Sequence, residues 1–322
     1  MKAALAPVLL LLGTLSLGAS VIRTARDPGS AAGRRTATVV SPGPFPKTLR
    51  RGAHRTTLAA PPSRIVSLTV TTDEMLTDLV VPSRIAAVSR FAGDPSISMA
   101  ASRVPPTTAR VIGLDPEHLI AQGPDLVFVA HYTQEAALRI LGAAEIPVVR
   151  LRPVRSFEDV FENLRVVGAA VGEDARAEEL VGSVRSRLQA VERRVAPLAR
   201  PRVLYVSVGG YTTGSRTLLD EKIRRAGATN AAADAGLEGD VSASLDLLVA
   251  LDPDVILVPR WTADAAPALS ELASSPAWRD SRAVKQRRVH VLSAAVLTSE
   301  SQDAAVGVEI LAALLHPDGG AT

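Results

Sequence analysis

From about residue 52 onward the chain alternates short apolar runs with polar, cap-like or Pro/Gly-punctuated stretches. The runs Arg64–Leu68 (RIVSL), Arg84–Ser89 (RIAAVS), Pro124–Ala130 and Ile146–Leu151 are β-branched and too short for helices, so each predicts a strand buried on both faces. Gly52–Leu58 predicts a short leading strand. Between the runs lie helix signals: Thr71-Thr72-Asp73-Glu74 opens one that continues to about Leu79 and stops at Pro82, Asp115-Pro116-Glu117 opens a second with Asp115 as N-cap and Pro116 at the first helical position, and Glu135–Leu141 is a third. Strands alternating with helices predict parallel pairing in an α/β lobe.

Between Ser156 and Pro197 the period changes to a long helical stretch broken near Gly172-Glu173-Asp174. Ala177, Leu180, Val184, Leu188, Val191 and Val195 recur at three- and four-residue steps and make one apolar stripe. A helix from Asp174 to Val195 would extend roughly 33 Å, enough to bridge two lobes, and its stiffness predicts small relative motion. The second lobe opens with the strand Arg202–Val208, which runs into Gly209–Gly214. There follow a helix from Leu218 to Ala226 closed by Gly227, a helix near Ala266–Ala273, a turn at Pro276–Trp278, the strand Arg288–Leu292 and a closing helix from Ser299 to Leu315.

One unit occurs twice. Pro124–Thr133 (PDLVFVAHYT) returns as Pro253–Thr262 (PDVILVPRWT), and extending backwards pairs Glu117–Ala121 with Asp246–Ala250 without a gap. A unit repeated once at this distance predicts two similar lobes rather than a solenoid. The expected fold class is therefore α/β: two three-layer α/β lobes joined by a single long α-helix, with a ligand cleft between the lobes. The expected organisation is a signal peptide over 1–20, a basic low-complexity linker over 21–51, an N-terminal lobe over 52–171, an interlobe helix over 172–198, a C-terminal lobe over 199–317 and a tail over 318–322.

Composition changes this picture at the N-terminus. The apolar run Ala3–Leu17 behind Lys2 and ahead of Gly18-Ala19-Ser20 reads as a secretory signal peptide and is short for a membrane span. Arg23 to Arg64 holds nine Lys or Arg against one acid, Asp27, so this segment is expected to be largely disordered to about Pro44. The formal net charge of +3 is thus concentrated in the tail, which argues against a nucleic-acid-binding body. The chain has no cysteine, which excludes disulfides, thiolate metal sites and a lipidated N-terminal Cys.

In parallel α/β lobes, ligands sit beyond the carboxyl ends of the strands. Just past the expected strands stand Arg90 and Phe91, His131 and Tyr132, Tyr211, and Arg260 and Trp261, which include four of the chain's ten aromatics. Aromatic walls with a few placed polar groups describe a site for a sizeable, flat or amphipathic ligand. His131 lacks a second ligand at metal-binding spacing and reads as a hydrogen-bonded loop residue. Gly209–Gly214 fits neither a Walker loop nor a dinucleotide fingerprint and reads as a turn exposing Tyr211 and Thr212. Glu117 and Asp246 fill the same slot, seven residues before the Pro of each repeat. Each alone is explained by the helix dipole, but a matched pair suits docking on a dimeric partner. No residue order suggests catalysis.

These pieces together resemble the periplasmic substrate-binding proteins of ABC importers for cobalamin, ferric siderophores and haem. The likeness spans Gly52 to Pro317 and is carried by Pro61–Leu68 with Asp73-Glu74, Glu117–Ala130, Arg202–Asp234 and Ser244–Pro259. The resemblance implies an exported, non-enzymatic, monomeric protein of the periplasm, not lipid-anchored, which hands a ferric siderophore or cobalamin to an ABC permease dimer and its ATPase subunits. It implies that Glu117 and Asp246 meet permease arginines; the family usually has Glu in both lobes, and Asp246 is one methylene shorter. Arg90, Phe91, His131, Tyr132, Tyr211, Arg260 and Trp261 are the expected ligand contacts, and no metal or cofactor is expected. Haem-binding members commonly present a Tyr near Ile112-Gly113 and a His at Val208–Gly210; this chain has neither, so haem is the alternative ligand. The rival class is an exported α/β enzyme acting on an anionic substrate, with His131 as base.

Overall fold

The computed structural model describes residues 37–41, 43–112, 115–262 and 276–317. The expected signal peptide, the helix near 266–273 and the tail lie outside the described residues. Three strands come first, β1 (Val39–Val40), β2 (Lys47–Arg51) and β3 (His54–Leu58), paired as a small antiparallel sheet. β2 turns into β3 over Gly52-Ala53, and Gly52 takes the left-handed φ of +59° that a two-residue hairpin demands.

Over residues 39–51 these strands stand where the basic linker, 21–51, and disorder to about Pro44 were expected; residues 21–36 of that linker lie outside the described residues. Thr38, Lys47 and Leu49 are buried, and Thr38 donates its N–H to the Arg150 carbonyl at 2.8 Å while its hydroxyl accepts from the Arg150 N–H at 2.9 Å. The basic residues that read as a solvated tail are paired instead: Lys47 Nζ lies 2.7 Å from Asp174 and Arg51 lies 3.2 Å from Glu135.

The N-terminal lobe follows as β4 (Ile65–Ser67), α1 (Val70–Leu79), β5 (Ile85–Ser89), β6 (Ala109–Val111), α2 (Pro116–Ala121), β7 (Leu126–Val129), α3 (Glu135–Ala143), β8 (Val148–Arg150) and α4 (Phe157–Val171). Its five strands are all parallel in the order β6-β5-β4-β7-β8, with every residue of β4 and β7 buried. The chain winds outward from β4 to β6 and then crosses back to β7, which makes the β4/β7 boundary the topological switch point.

Next comes α5 (Asp174–Val195), whose apolar stripe Ala177, Val181, Val184, Leu188, Val191 and Val195 is buried throughout. Leu180 of the expected stripe is only partly buried. The C-terminal lobe is β9 (Arg202–Tyr205), β10 (Tyr211–Thr213), α6 (Leu218–Arg225), β11 (Thr229–Asn230), α7 (Ala231–Asp234), β12 (Asp240–Ser242), α8 (Leu245–Ala250), β13 (Val255–Arg260), α9 (Arg282–Lys285), β14 (Val289–Ser293), α10 (Ala294–Thr298) and α11 (Ala304–Leu315). β11-β9-β13-β14 form a second parallel sheet, and β10 and β12 pair as an antiparallel ribbon.

The joint between the lobes is broader than a helical bridge. α5 packs on α4 of the first lobe and on α6 and α11 of the second, and one continuous apolar core runs from Leu49 through Phe161 and Val184 to Leu311. Polar bonds fasten its rim: Glu221 of α6 accepts the Phe157 N–H at 2.8 Å, and Arg187 of α5 pairs with Glu309 at 2.7 Å. The closing helix expected from Ser299 begins only at Ala304. Residues 299–303 leave the helical path between α10 and α11 because their side chains are drawn to groups of the other lobe.

α4 and α5 are in close contact at Gly168, where an added Cβ would lie 2.5 Å from the Ala177 Cβ. Gly168→Ala should therefore push the two helices apart and cost about 1–3 kcal/mol. Urea unfolding followed by circular dichroism would measure this, and an unchanged midpoint would contradict the close packing.

Candidate functional site

Parallel pairing puts the carboxyl ends of the first sheet's strands on one edge, so the loops after β4, β7 and β8 emerge side by side. Thr69 and Thr71 after β4, Ala130 to Tyr132 after β7, and Leu151 and Arg152 after β8 line a cavity of about 40 Å³. Glu300, from the interrupted segment of the C-terminal lobe, closes it. The volume holds a small polar group or a few waters. A larger ligand would extend above it toward Tyr132, which is 66% exposed.

The His131–Tyr132 tip is held from behind. Arg150, at the end of β8, is 7% exposed; its guanidinium donates to the carbonyls of His131 and of Thr133 (3.1 Å) and pairs with Glu135. The two rings at the tip meet edge to face, with centroids 5.0 Å apart at 82°. Arg152, in the cavity wall, is itself paired with Asp159 at 3.6 Å and with Glu162.

Beneath the cavity the lobes meet through a buried polar junction. Glu74 of α1 is fully buried, and its carboxyl accepts hydrogen bonds from the Ser299 hydroxyl at 2.7 Å, the Ser301 hydroxyl at 2.6 Å and the Met99 N–H at 2.8 Å. Gln302 donates to the Glu74 carbonyl at 2.7 Å and to Asp78 at 2.8 Å, and Arg103 bridges Asp78 and Asp303. From the other side Lys222 of α6, also fully buried, donates to the carbonyls of Leu297 at 3.0 Å and Ser299 at 2.8 Å. It serves the orphan acceptors at the end of α10 as a cationic cap.

Burial dominates the electrostatics here. It pushes the Asp73 carboxyl, which accepts from the Ser89 hydroxyl at 2.5 Å, up to about 7, and it raises Glu74 as well. Glu300 keeps some accessible surface at the cavity wall, yet it lies deep enough that burial pushes it up to about 7 against the opposing pull of Lys222. The Lys222 ammonium is pulled down to about 8, again by burial.

Of the residues expected at the site, the structure brings His131 and Tyr132 to the cavity. Arg90 and Phe91 stand past β5, with the guanidinium 4.4 Å from the ring centroid, and they do not line it. Tyr211 begins β10, Arg260 ends β13 with Trp261 next after it, and none of the three lines this cavity. The Gly209–Gly214 expectation is half corrected: Tyr211 is exposed, whereas Thr212 is buried and donates to the Tyr205 carbonyl at 2.7 Å. Thr69, Thr71, Arg152 and above all Glu300 escaped the sequence reading. A signal for Glu300 exists in the polar run Ser299–Asp303 between two apolar stretches. Glu117 and Asp246 are exposed in the first turns of α2 and α8, behind the N-caps Asp115 and Ser244.

Two parallel α/β lobes around a shared helix, with a cavity walled by strand-end loops of one lobe and closed by a loop of the other, define a two-lobed binding protein. A family model described as periplasmic binding protein matches residues 65–296, and the chain belongs to that family. It is 27% identical over 284 residues to the uncharacterized ABC transporter substrate-binding lipoprotein YvrC of Bacillus subtilis, covering 85% of this chain and 87% of that protein. It is 28% identical over 204 residues to a cobalamin-binding protein of Halobacterium salinarum, covering 62% of this chain and 55% of that one. The fold matches the apo periplasmic heme-binding protein RhuT from Roseiflexus sp. RS-1 with a TM-score of 0.71 at 24% identity, over 80% of this chain and 99% of that chain. Among the described residues no helix is long and apolar enough to cross a membrane.

The raised carboxyls set a pH dependence. Asp73 moves from 3.8 to about 7 and Glu300 from 4.5 to about 7, so between roughly pH 4 and 7 the folded protein holds protons that the unfolded chain has released. Stability must then fall as pH rises through that window, by on the order of a few kcal/mol. The lowered Lys222 acts oppositely, between about 8 and 10.5. Urea midpoints should drop from pH 5 to pH 7.5, and Asp73→Asn should flatten part of that slope; a midpoint rising over this range would contradict the burial of these groups.

Proposed function

We propose that this protein is the substrate-binding component of an ABC import system, non-enzymatic and exported, which captures a metal chelate and delivers it to a membrane permease. The expected ligand is cobalamin or a ferric siderophore. The observation that carries this reading is the cavity at the switch point of the first sheet, closed by the second lobe and opening beneath an exposed aromatic tip. Family membership and the similarity to YvrC support the transport role, and the Halobacterium cobalamin-binding protein supports a corrinoid. Haem is the second reading, favoured by the likeness to RhuT, which at 24% identity speaks for the fold. The enzyme alternative loses its anion loop, because Tyr211–Thr213 pairs with Asp240–Ser242 instead of opening onto a helix N-terminus.

The permease contact is assigned to Glu117 and Asp246. Both acids are exposed on matching helices, and apolar side chains flank them: Ile120 is 40% exposed beside Glu117, and Leu245 and Leu247, at 45% and 39%, bracket Asp246. An acid within an apolar collar suits a basic partner surface. The double variant Glu117→Ala, Asp246→Ala should keep chelate affinity within about threefold and abolish uptake in cells carrying the cognate permease. Normal uptake by that variant would sink the docking assignment. Loss of chelate binding would show that the acids serve the ligand.

A further inference from the structure

The C-terminal lobe contributes a carboxyl, Glu300, to the cavity wall, and this bears on which chelate the site takes. Glu300 lines the cavity opposite Thr69, Thr71, His131 and Tyr132. The guanidiniums near this end are committed elsewhere: Arg152, in the wall, is paired with Asp159 and Glu162, and Arg150 is spent on Glu135 and on the loop carbonyls of His131 and Thr133. The ammonium behind Glu300, Lys222, is wrapped by the carbonyls of Leu297 and Ser299. An anionic group arriving there would therefore meet an acid while the described Arg and Lys side chains near it are already paired.

Resting on the chelate-binding reading above, we propose that Glu300 is a specificity-determining residue, and that it selects an uncharged chelate presenting a carboxamide to the cavity floor over one presenting a carboxylate. A carboxamide suits either state of the acid: its N–H donates to the carboxylate, and its C=O accepts from the protonated form. A carboxylate is accepted only by the protonated form. The cavity, at about 40 Å³, is the size of one such group and not of a whole chelate. The groups facing Glu300 are the Thr71 hydroxyl in the first turn of α1, Glu74 on α1, Lys222 on α6, Asp240 on β12, His131 and Tyr132 on the loop after β7, and Arg152 after β8. Burial holds the acid near neutrality, at about 7, so its two forms exchange within the range over which binding can be measured.

The test is calorimetric titration of the full chain at pH 5.5 and pH 8 with cyanocobalamin, with cobalamin monocarboxylic acids in which one peripheral carboxamide is hydrolysed, and with ferric citrate. The wild type should bind cyanocobalamin alike at both pH values and tighter than ferric citrate at pH 8, and at least one monocarboxylic acid should bind about tenfold or more tighter at pH 5.5 than at pH 8. Glu300→Gln, which keeps shape and hydrogen bonding, should hold cyanocobalamin within about threefold and lose the pH dependence toward the acid. Glu300→Ala should weaken cyanocobalamin about tenfold or more, with circular dichroism confirming that both variants fold. Ferric citrate bound more tightly than cyanocobalamin at pH 8 overturns the proposal, as does a pH dependence that survives in Glu300→Gln, which would assign it to His131. Failure of the wild type to bind any of these chelates overturns the transport reading itself, whereas wild-type binding that Glu300→Ala leaves unchanged overturns only the role of Glu300.

Discussion

A carboxyl buried between two lobes is the constraint on which this molecule depends. Glu74 sits on the first helix of the N-terminal lobe with no exposed surface, and two of its three hydrogen-bond donors, Ser299 and Ser301, belong to the C-terminal lobe. Taking such a group out of water costs several kcal/mol, while each hydrogen bond to it returns about 1.5–3 kcal/mol. The balance is near zero, so the junction contributes position more than stability. It demands that residues 299–303 leave the helical path, and that departure delivers Glu300 to the cavity.

The apolar core and the polar junction divide the work of holding the lobes. The stripe on α5 fuses them along their length, from Leu49 to Leu311 in one continuous cluster. Apolar packing is non-directional and leaves some freedom to rock. The junction removes it at one end, where Gln302, Asp78, Arg103 and Asp303 extend the contact around Glu74. The same end carries Lys222, whose carbonyl contacts tie α6 to the end of α10. The junction and the long helix both oppose relative motion of the lobes.

Much of this was legible in the sequence wherever burial follows a period. The strands at Ile65, Ile85 and Leu126, the cap at Asp115 and the stripe from Ala177 to Val195 follow from short β-branched runs, cap chemistry and three- and four-residue spacing. The small antiparallel sheet was half hidden: Gly52–Leu58 reads as a strand, but KTLRR looks like a solvated tail, and Asp174, 127 positions away, neutralises its buried Lys47. The late start of the closing helix was hidden because Ser299 reads as a local cap, whereas its hydroxyl and that of Ser301 are drawn to Glu74 of the other lobe. The ligand loop was half legible: His131 and Tyr132 follow from the strand-end rule, whereas Glu300 depends on a junction more than 220 residues apart in sequence. Long-range polar pairing leaves no local period to read.

The central claim is that one cleft, walled by loops of the first lobe and closed by a loop of the second, binds the chelate while the junction beneath stays shut. Hydrogen–deuterium exchange with and without a bound chelate tests it most directly. The account predicts slow exchange at the amides of Ser301 and Asp303 in both states, with added protection on binding at Thr69–Thr71, His131–Thr133 and Glu300 together. Protection confined to one lobe, or rapid exchange at Ser301 and Asp303 in the free protein, would contradict it.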